Sequence, residues 1–207
     1  MRGWQVAVLA RAPVPGQVKT RLISCLGAER AAELQAHLTE QALQRARDSG
    51  AHVALWLAGP ADSGSEELAR RFGAELLCQP EGDLGARMLA AVRHAHAMDM
   101  DSILIGTDCP AQTPDDLQQA HTLLARSDVV LQPAPDGGYV LIGMREPHPE
   151  LFTDIEWGGA VVLDATRRRC VRHGLRLAEL RALPDLDRPD DLEAALAAGV
   201  LDRARWS

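Results

Sequence analysis

Residues 5–22 read QVAVLARAPVPGQVKTRL. The valine-rich run 5–10 is short, apolar and bounded by turn formers, which predicts a buried β-strand. The loop that follows gathers Arg11, Lys19 and Arg21 around Pro13, Pro15 and Gly16. Beyond it, residues 28–47 repeat alanine and leucine at helical spacing until Ser49-Gly50, a helix with its stop signal. This strand–loop–helix unit then recurs. Strands are expected at 52–58, 75–79, 102–106, 128–132, 139–144 and 175–180. Helices are expected at 65–72, 84–96, from Thr113-Pro114 onward, at 160–173 and at 190–198.

Alternation of this kind implies an α/β fold, a mostly parallel sheet with helices on both faces, as a Rossmann-like three-layer sandwich. Crossovers in such sheets are right-handed. Ligands bind at the carboxyl ends of the strands, beside a change in strand order. The 207 residues fit a single domain spanning 1–207, and no interdomain linker or repeat interrupts them.

Composition narrows the partners. A formal net charge of -7 argues against nucleic acid or an anionic membrane as the main partner, since both reward a basic face. No apolar stretch approaches the roughly 20 residues of a membrane span. The four cysteines, Cys25, Cys78, Cys109 and Cys170, form no C-x-x-C pair and read as free thiols of a reducing cytoplasm. The seven scattered histidines read as surface or packing residues. Oligomeric state is not encoded in any pattern of the chain.

Four loops carry candidate chemistry. In the first (10–22), Ala10, Arg11, Pro13, Gly16, Lys19 and Arg21 offer backbone and cationic groups for a diphosphate. Arginine grips phosphate with two donors and lysine with a point charge. Neither the Walker A frame nor G-x-G-x-x-G is present, and a solvated basic surface loop is the alternative reading. In the second (79–88, QPEGDLGARM), Gly82, Asp83 and Arg87 are candidates for ribose, base or phosphate, with a plain helix N-cap at Asp83 as the alternative.

In the third loop (106–110, GTDCP), Asp108 stands at the end of an apolar strand, where a carboxylate can hold Mg2+ or Mn2+; a turn or cap role is its alternative. In the fourth (135–143, PDGGYVLIG), Asp136, Gly137 and Gly138 are candidate substrate contacts, and Asp-Gly between apolar strands also signals a hairpin. Late in the chain, Asp185 and Asp187 in LPDLDRPDDL either complete a metal site or simply open an acidic helix.

Taken in order, ARAPVPGQVKTRL, GDLGARM, GTDCP, PDGGYVLIG and DLDRPDDL resemble the motifs of an uncharacterised bacterial transferase family. Its members carry labels such as arsenosugar-biosynthesis glycosyltransferase or radical-SAM/selenodomain-associated transferase. The resemblance covers about residues 5–196. It implies the GT-A fold of the nucleotide-diphospho-sugar transferase superfamily, and distant kinship with 2-phospholactate and molybdopterin guanylyltransferases. It further implies that Arg11, Lys19 and Arg21 hold phosphates, and that Asp108 is the metal-binding aspartate with Asp187 as second ligand.

The expected activity is metal-dependent sugar transfer from a nucleotide-diphosphate sugar to a small-molecule acceptor. Lys19 and Asp108 would be catalytic, and Asp136 the acceptor's general base. The alternative is nucleotidyl transfer to a phosphorylated small molecule. The chain departs from the family at Trp157-Gly158-Gly159, where relatives usually show a Trp-Ser-Thr-like triplet. Trp157 is kept as a substrate contact, and the hydroxyls that follow it are missing.

Overall fold

The pleat of the first strand sets the layers. Along β1 (Gly3–Arg11), Val6, Val8 and Ala10 face one side of the sheet and Ala7 the other, all buried. The structure is a computed structural model that describes residues 2–59 and 61–206. After β1 come α1 (Ile23–Leu26), α2 (Ala28–Asp48), β2 (His52–Ala58), α3 (Ser63–Phe72), β3 (Glu75–Cys78), α4 (Leu84–Ala97) and β4 (Met100–Ile105). The second half runs α5 (Pro114–Leu124), β5 (Val129–Pro133), β6 (Tyr139–Met144), α6 (Val162–Arg172), β7 (Leu177–Glu179), α7 (Pro189–Ala197) and α8 (Arg203–Trp206).

The strands form one sheet in the order β3-β2-β1-β4-β6-β5-β7. β1, β2, β3 and β4 are mutually parallel; β6 runs antiparallel to both β4 and β5, and β7 is parallel to β5. The sheet is therefore mostly parallel, as expected, with one reversed strand. That reversal comes from the Asp-Gly hairpin joining β5 to β6, where Ala134 N–H donates to Gly138 O at 2.9 Å.

On one face, residues of α2, α3 and α5 (Leu43, Phe72, Leu117) pack on β1, β2 and β4. On the other, α4 and α6 (Met88, Val92, Leu163) pack on Trp56, Leu104 and Ile142. Helices on both faces are what strands buried on both sides require. A third apolar cluster joins Leu22 and Leu26 to Leu34 and Leu38 of α2, and to Leu186, Leu192, Leu196, Leu201 and Trp206. Each buried leucine contributes roughly 1.5–3 kcal/mol. This cluster therefore fastens the segment 186–206 beside the loop that follows β1.

Local signals explain the helix starts. Thr113 caps α5 in a reciprocal box with Asp116, and Pro114 takes the first helical position. Asp83 caps α4 by accepting from Ala86 N at 2.8 Å. The short α1 and α8 were not foreseen, because four residues are too few to show a helical period.

Gly85, in the first turn of α4, lies against the segment that precedes α6. A Cβ there would overlap the carbonyl oxygen of Phe152 and crowd the Trp157 ring. Alanine for glycine inside a helix ordinarily gains ~1 kcal/mol. Here overpacking reverses the sign, and Gly85→Ala is expected to lose about 1–3 kcal/mol, read as a lowered urea midpoint at unchanged m-value.

Candidate active-site cleft

The chain leaves β1 outward through β2 and β3, then returns to place β4 on β1's other side. The strand order therefore reverses between β1 and β4, the position at which open α/β sheets bind ligands. A cleft of about 800 Å³ opens there. It collects the carboxyl ends of β1 and β4 and the amino end of β6, because β6 runs backwards.

Arg11, Lys19, Arg21 and Arg87 line the cleft together with Asp108, Asp136, Gly138, Trp157 and Asp187. Ala10, Gly82 and Asp83 also contribute to its wall. Asp83 is thus both a helix cap and a cleft residue, so its two readings are compatible. Three expected contacts need correction. Pro13 and Gly16 do not line the cleft; they lie on the exposed bend of the loop, where Gly16 has φ 78°. Gly137 is also absent from the wall. It has φ 91°, a side chain there would collide with Ala160, and its carbonyl accepts from Leu163 N at 2.9 Å. Its glycine serves the docking of the hairpin onto α6.

Lys19 is the best-anchored of the basic residues. Its backbone is left-handed (φ 47°), uncommon for a residue with a Cβ and costing about 1 kcal/mol or more. Its side chain is only 3 % exposed. The ammonium donates to Asp108 Oδ1 at 2.8 Å and to the carbonyl of Leu186. Arg21, mostly exposed, pairs with Asp187. The loop after β1 therefore meets both carboxylates nominated as metal ligands.

Behind them stand residues that sequence reasoning missed. Thr107 donates to Asp108 Oδ1 at 2.9 Å, and Gln35 Nε2 donates to Thr107 Oγ1 at 3.0 Å. Gln35 is buried within the apolar face of α2. A glutamine interrupting an alanine–leucine face was the available signal. Gln79 also escaped notice; its Nε2 bonds the carbonyls of Ala10 and Trp56 at 3.1 and 2.9 Å, tying strand ends together. Leu186 N–H donates to Asp108 O at 2.7 Å, so the late acidic segment is pinned to the backbone of the loop after β4. Asp191, rather than a ligand, accepts from the backbones of Asp187 and Arg188.

A smaller cavity of about 190 Å³ adjoins the cleft beyond Asp108. Cys109, Ala134, Asp136, Tyr139, Val140 and Asp185 are among its walls, and no lysine or arginine lines it. Burial, and next the charge of Asp136, push the Asp185 carboxyl above the usual carboxylate range. Asp136 Oδ1 is partly engaged by its own turn, accepting from Gly138 N at 2.8 Å. A Cβ at Gly158 would meet open space and one at Gly159 ordinary contacts, so crowding does not enforce the Gly158-Gly159 departure.

Among the described residues, no three histidine, cysteine, aspartate or glutamate side chains form a group able to hold a metal ion. The donor set suits only a hard, oxygen-seeking cation that takes its remaining ligands from phosphate and water, which is the habit of Mg2+. His121, one of the histidines expected to pack, stacks on Trp4 at 4.7 Å and pairs with Asp101 far along β4 from the cleft.

The chain belongs to a family described as uncharacterised and conserved in bacteria (DUF2064), whose profile matches residues 34–159. No curated protein matches the sequence. Among solved structures, a provisionally assigned nucleotide-diphospho-sugar transferase from Desulfovibrio desulfuricans G20 superposes with a TM-score of 0.89 at 29 % identity, over 100 % of this chain and 92 % of that one. CMP:2-keto-3-deoxy-manno-octonic acid synthetase, solved with CTP, gives 0.55 at 18 % identity over 96 % and 100 %. Rv0371c of Mycobacterium tuberculosis H37Rv, solved with manganese, gives 0.51 at 16 % over 94 % and 99 %. The expected α/β fold of the nucleotide-diphospho-sugar transferases is the fold observed; the two remoter likenesses speak to fold alone. No helix among the described residues is long and apolar enough to cross a membrane.

The thiols offer a check on this geometry. Cys25 and Cys78 are exposed, and Cys109 and Cys170 buried. Burial pushes Cys109 and Cys170 up to about 11, against a smaller opposing pull from Arg45 on Cys109. A raised pKa means less thiolate at any working pH; at pH 8 it leaves on the order of 0.1 %. Iodoacetamide at pH 8 should therefore modify Cys25 and Cys78 in the native protein, with Cys109 and Cys170 following only in denaturant, as read by peptide mass spectrometry.

Proposed function

We propose that this member of the family transfers a sugar from a nucleotide-diphosphate sugar to a small hydroxyl acceptor, with a divalent cation. The observation that carries the reading is the meeting of Lys19 with Asp108 at the reversal of strand order, inside a cleft that also collects Arg11, Arg21 and Arg87. Arg11, Lys19 and Arg21 would hold the diphosphate. Gly82, Asp83 and Arg87, at the start of α4, would face the nucleoside. Mg2+ or Mn2+, held by Asp108 and Asp187, would supply charge neutralisation for the leaving diphosphate.

The chain's own residues would do the remaining work. Lys19 and Arg21 offset the negative charge that builds as the bond from the sugar's anomeric carbon to the diphosphate oxygen breaks. Such stabilisation is worth on the order of 3–4 kcal/mol for a well-placed donor. The acceptor oxygen forms the new bond to the anomeric carbon and gives its proton to Asp136. Trp157 and the backbone of Gly138 would shape the sugar site. The cavity beyond Asp108, with Asp136 and Asp185 and no basic wall, supports an acceptor without phosphate.

Nucleotidyl transfer is the second reading. It is favoured by the fold shared with a synthetase solved in complex with CTP, and the same basic loop would serve an NTP's β,γ-phosphates. It requires an anionic, phosphorylated acceptor, which the acidic cavity does not invite.

Incubation with NTPs and NDP-sugars in the presence of Mn2+ separates the two. Release of NDP supports sugar transfer or donor hydrolysis, and release of pyrophosphate supports the second reading. Asp108→Ala is expected to lower metal-dependent turnover by about 100-fold or more while circular dichroism stays native. Undiminished turnover in that variant would remove Asp108 from the chemistry.

A further inference from the structure

Both carboxylates assigned to the cation have a cationic partner within the chain. Asp108 Oδ1 holds the Lys19 ammonium at 2.8 Å and Asp187 holds the Arg21 guanidinium. The Lys19 ammonium touches a carboxylate and a peptide carbonyl, Leu186 O, and is almost wholly withdrawn from water. An all-oxygen setting of this kind is what a hard metal ion seeks. The loop cation thus stands in for the metal.

We propose that metal and diphosphate enter this cleft as a thermodynamically coupled pair, by exchange of these two ion pairs; the proposal rests on the assignment of the cleft to a metal and a diphosphate made above. A cation arriving alone must displace a buried ammonium from its carboxylate and leave it without an anionic partner, and an uncompensated buried charge is costly. A diphosphate arriving alone draws Lys19 and Arg21 away and leaves Asp108 and Asp187 bare beside an anion. Arriving together, the phosphates take the lysine and arginine while the carboxylates take the metal, and every charge keeps a partner. The four-carbon stem of Lys19 permits the swing. Thr107, fixed by Gln35, holds Asp108 in place through the exchange. Coupling of this kind is reciprocal: each ligand must tighten the other by the same factor.

The test is Mn2+ binding followed by electron paramagnetic resonance of the free ion. It is measured without ligand and then with saturating ADP, CDP, GDP, UDP or inorganic pyrophosphate, after correction for Mn2+ bound by the ligand in solution. At least one of these should tighten Mn2+ tenfold or more, and Mn2+ should tighten that ligand by the same factor. Lys19→Met, which keeps length and removes charge, should bind Mn2+ alone at least fivefold tighter than the wild type and show a smaller coupling factor. Arg21→Gln should move both in the same direction. Arg21 is largely exposed, so this second variant decides the question if Lys19→Met does not fold.

Wild type that binds Mn2+ alone as tightly as with ligand overturns the coupling. So do two folded variants with wild-type affinity for Mn2+ alone. Should none of the five phosphates bind, the nucleotide reading and the coupling fall together. Binding of a phosphate without mutual tightening overturns the coupling only.

Discussion

A buried ammonium must find oxygen partners, and the rest of the cleft is arranged around how Lys19 finds its own. Withdrawn from water, an unpaired charge would cost several kcal/mol. Lys19 therefore needs Asp108 and the Leu186 carbonyl together. Meeting that need joins three distant segments: the loop after β1, the end of β4, and the acidic stretch before α7. The apolar cluster of Leu22, Leu186 and Trp206 supplies the attachment that makes the meeting durable. The left-handed turn at Lys19 is the local strain that this attachment sustains.

Which segments bring charge to the cleft follows from the sheet. β1 and α4 deliver Arg11, Lys19, Arg21 and Arg87, whereas β4, the β5–β6 hairpin and the segment before α7 deliver aspartates. Because β6 runs backwards, the hairpin rather than a helix crossover lies next to β4's end. A hairpin turn brings Asp136 close to Asp185 and leaves room for the smaller cavity.

Much of this was legible in the chain. Valine-rich runs separated by helical periods gave the layers, and Thr113-Pro114 and Asp83 marked helix starts where they occur. The single antiparallel strand was visible only as the Asp-Gly alternative at 136–137, since period-two patterning does not encode direction. Asp108 and Lys19 stand out in the sequence because they lie in loops at strand ends, and the structure brings the two together. Pro13, Gly16 and Gly137 were over-read: proline and glycine mark where a backbone bends, and bending serves packing as often as contact. Gln35, Thr107 and Gln79 were under-read, because each acts through partners that only the tertiary fold brings near: Gln35 and Thr107 are 72 residues apart, and Gln79 is 69 from Ala10 and 23 from Trp56. The direct pairing of Lys19 with Asp108 could not be read at all, as nothing local specifies which cation meets which carboxylate.

The ammonium of Lys19 and the carbonyl of Leu186 are separated by 167 positions along the chain. Non-local closures of this span carry a large entropic penalty and form late, after the local elements have assembled. The cleft is consequently finished only when residues beyond 186 have been synthesised and docked. A nascent or clipped chain can build most of its sheet, yet it leaves Lys19 without its second acceptor and the ligand-gathering end of the sheet unlatched.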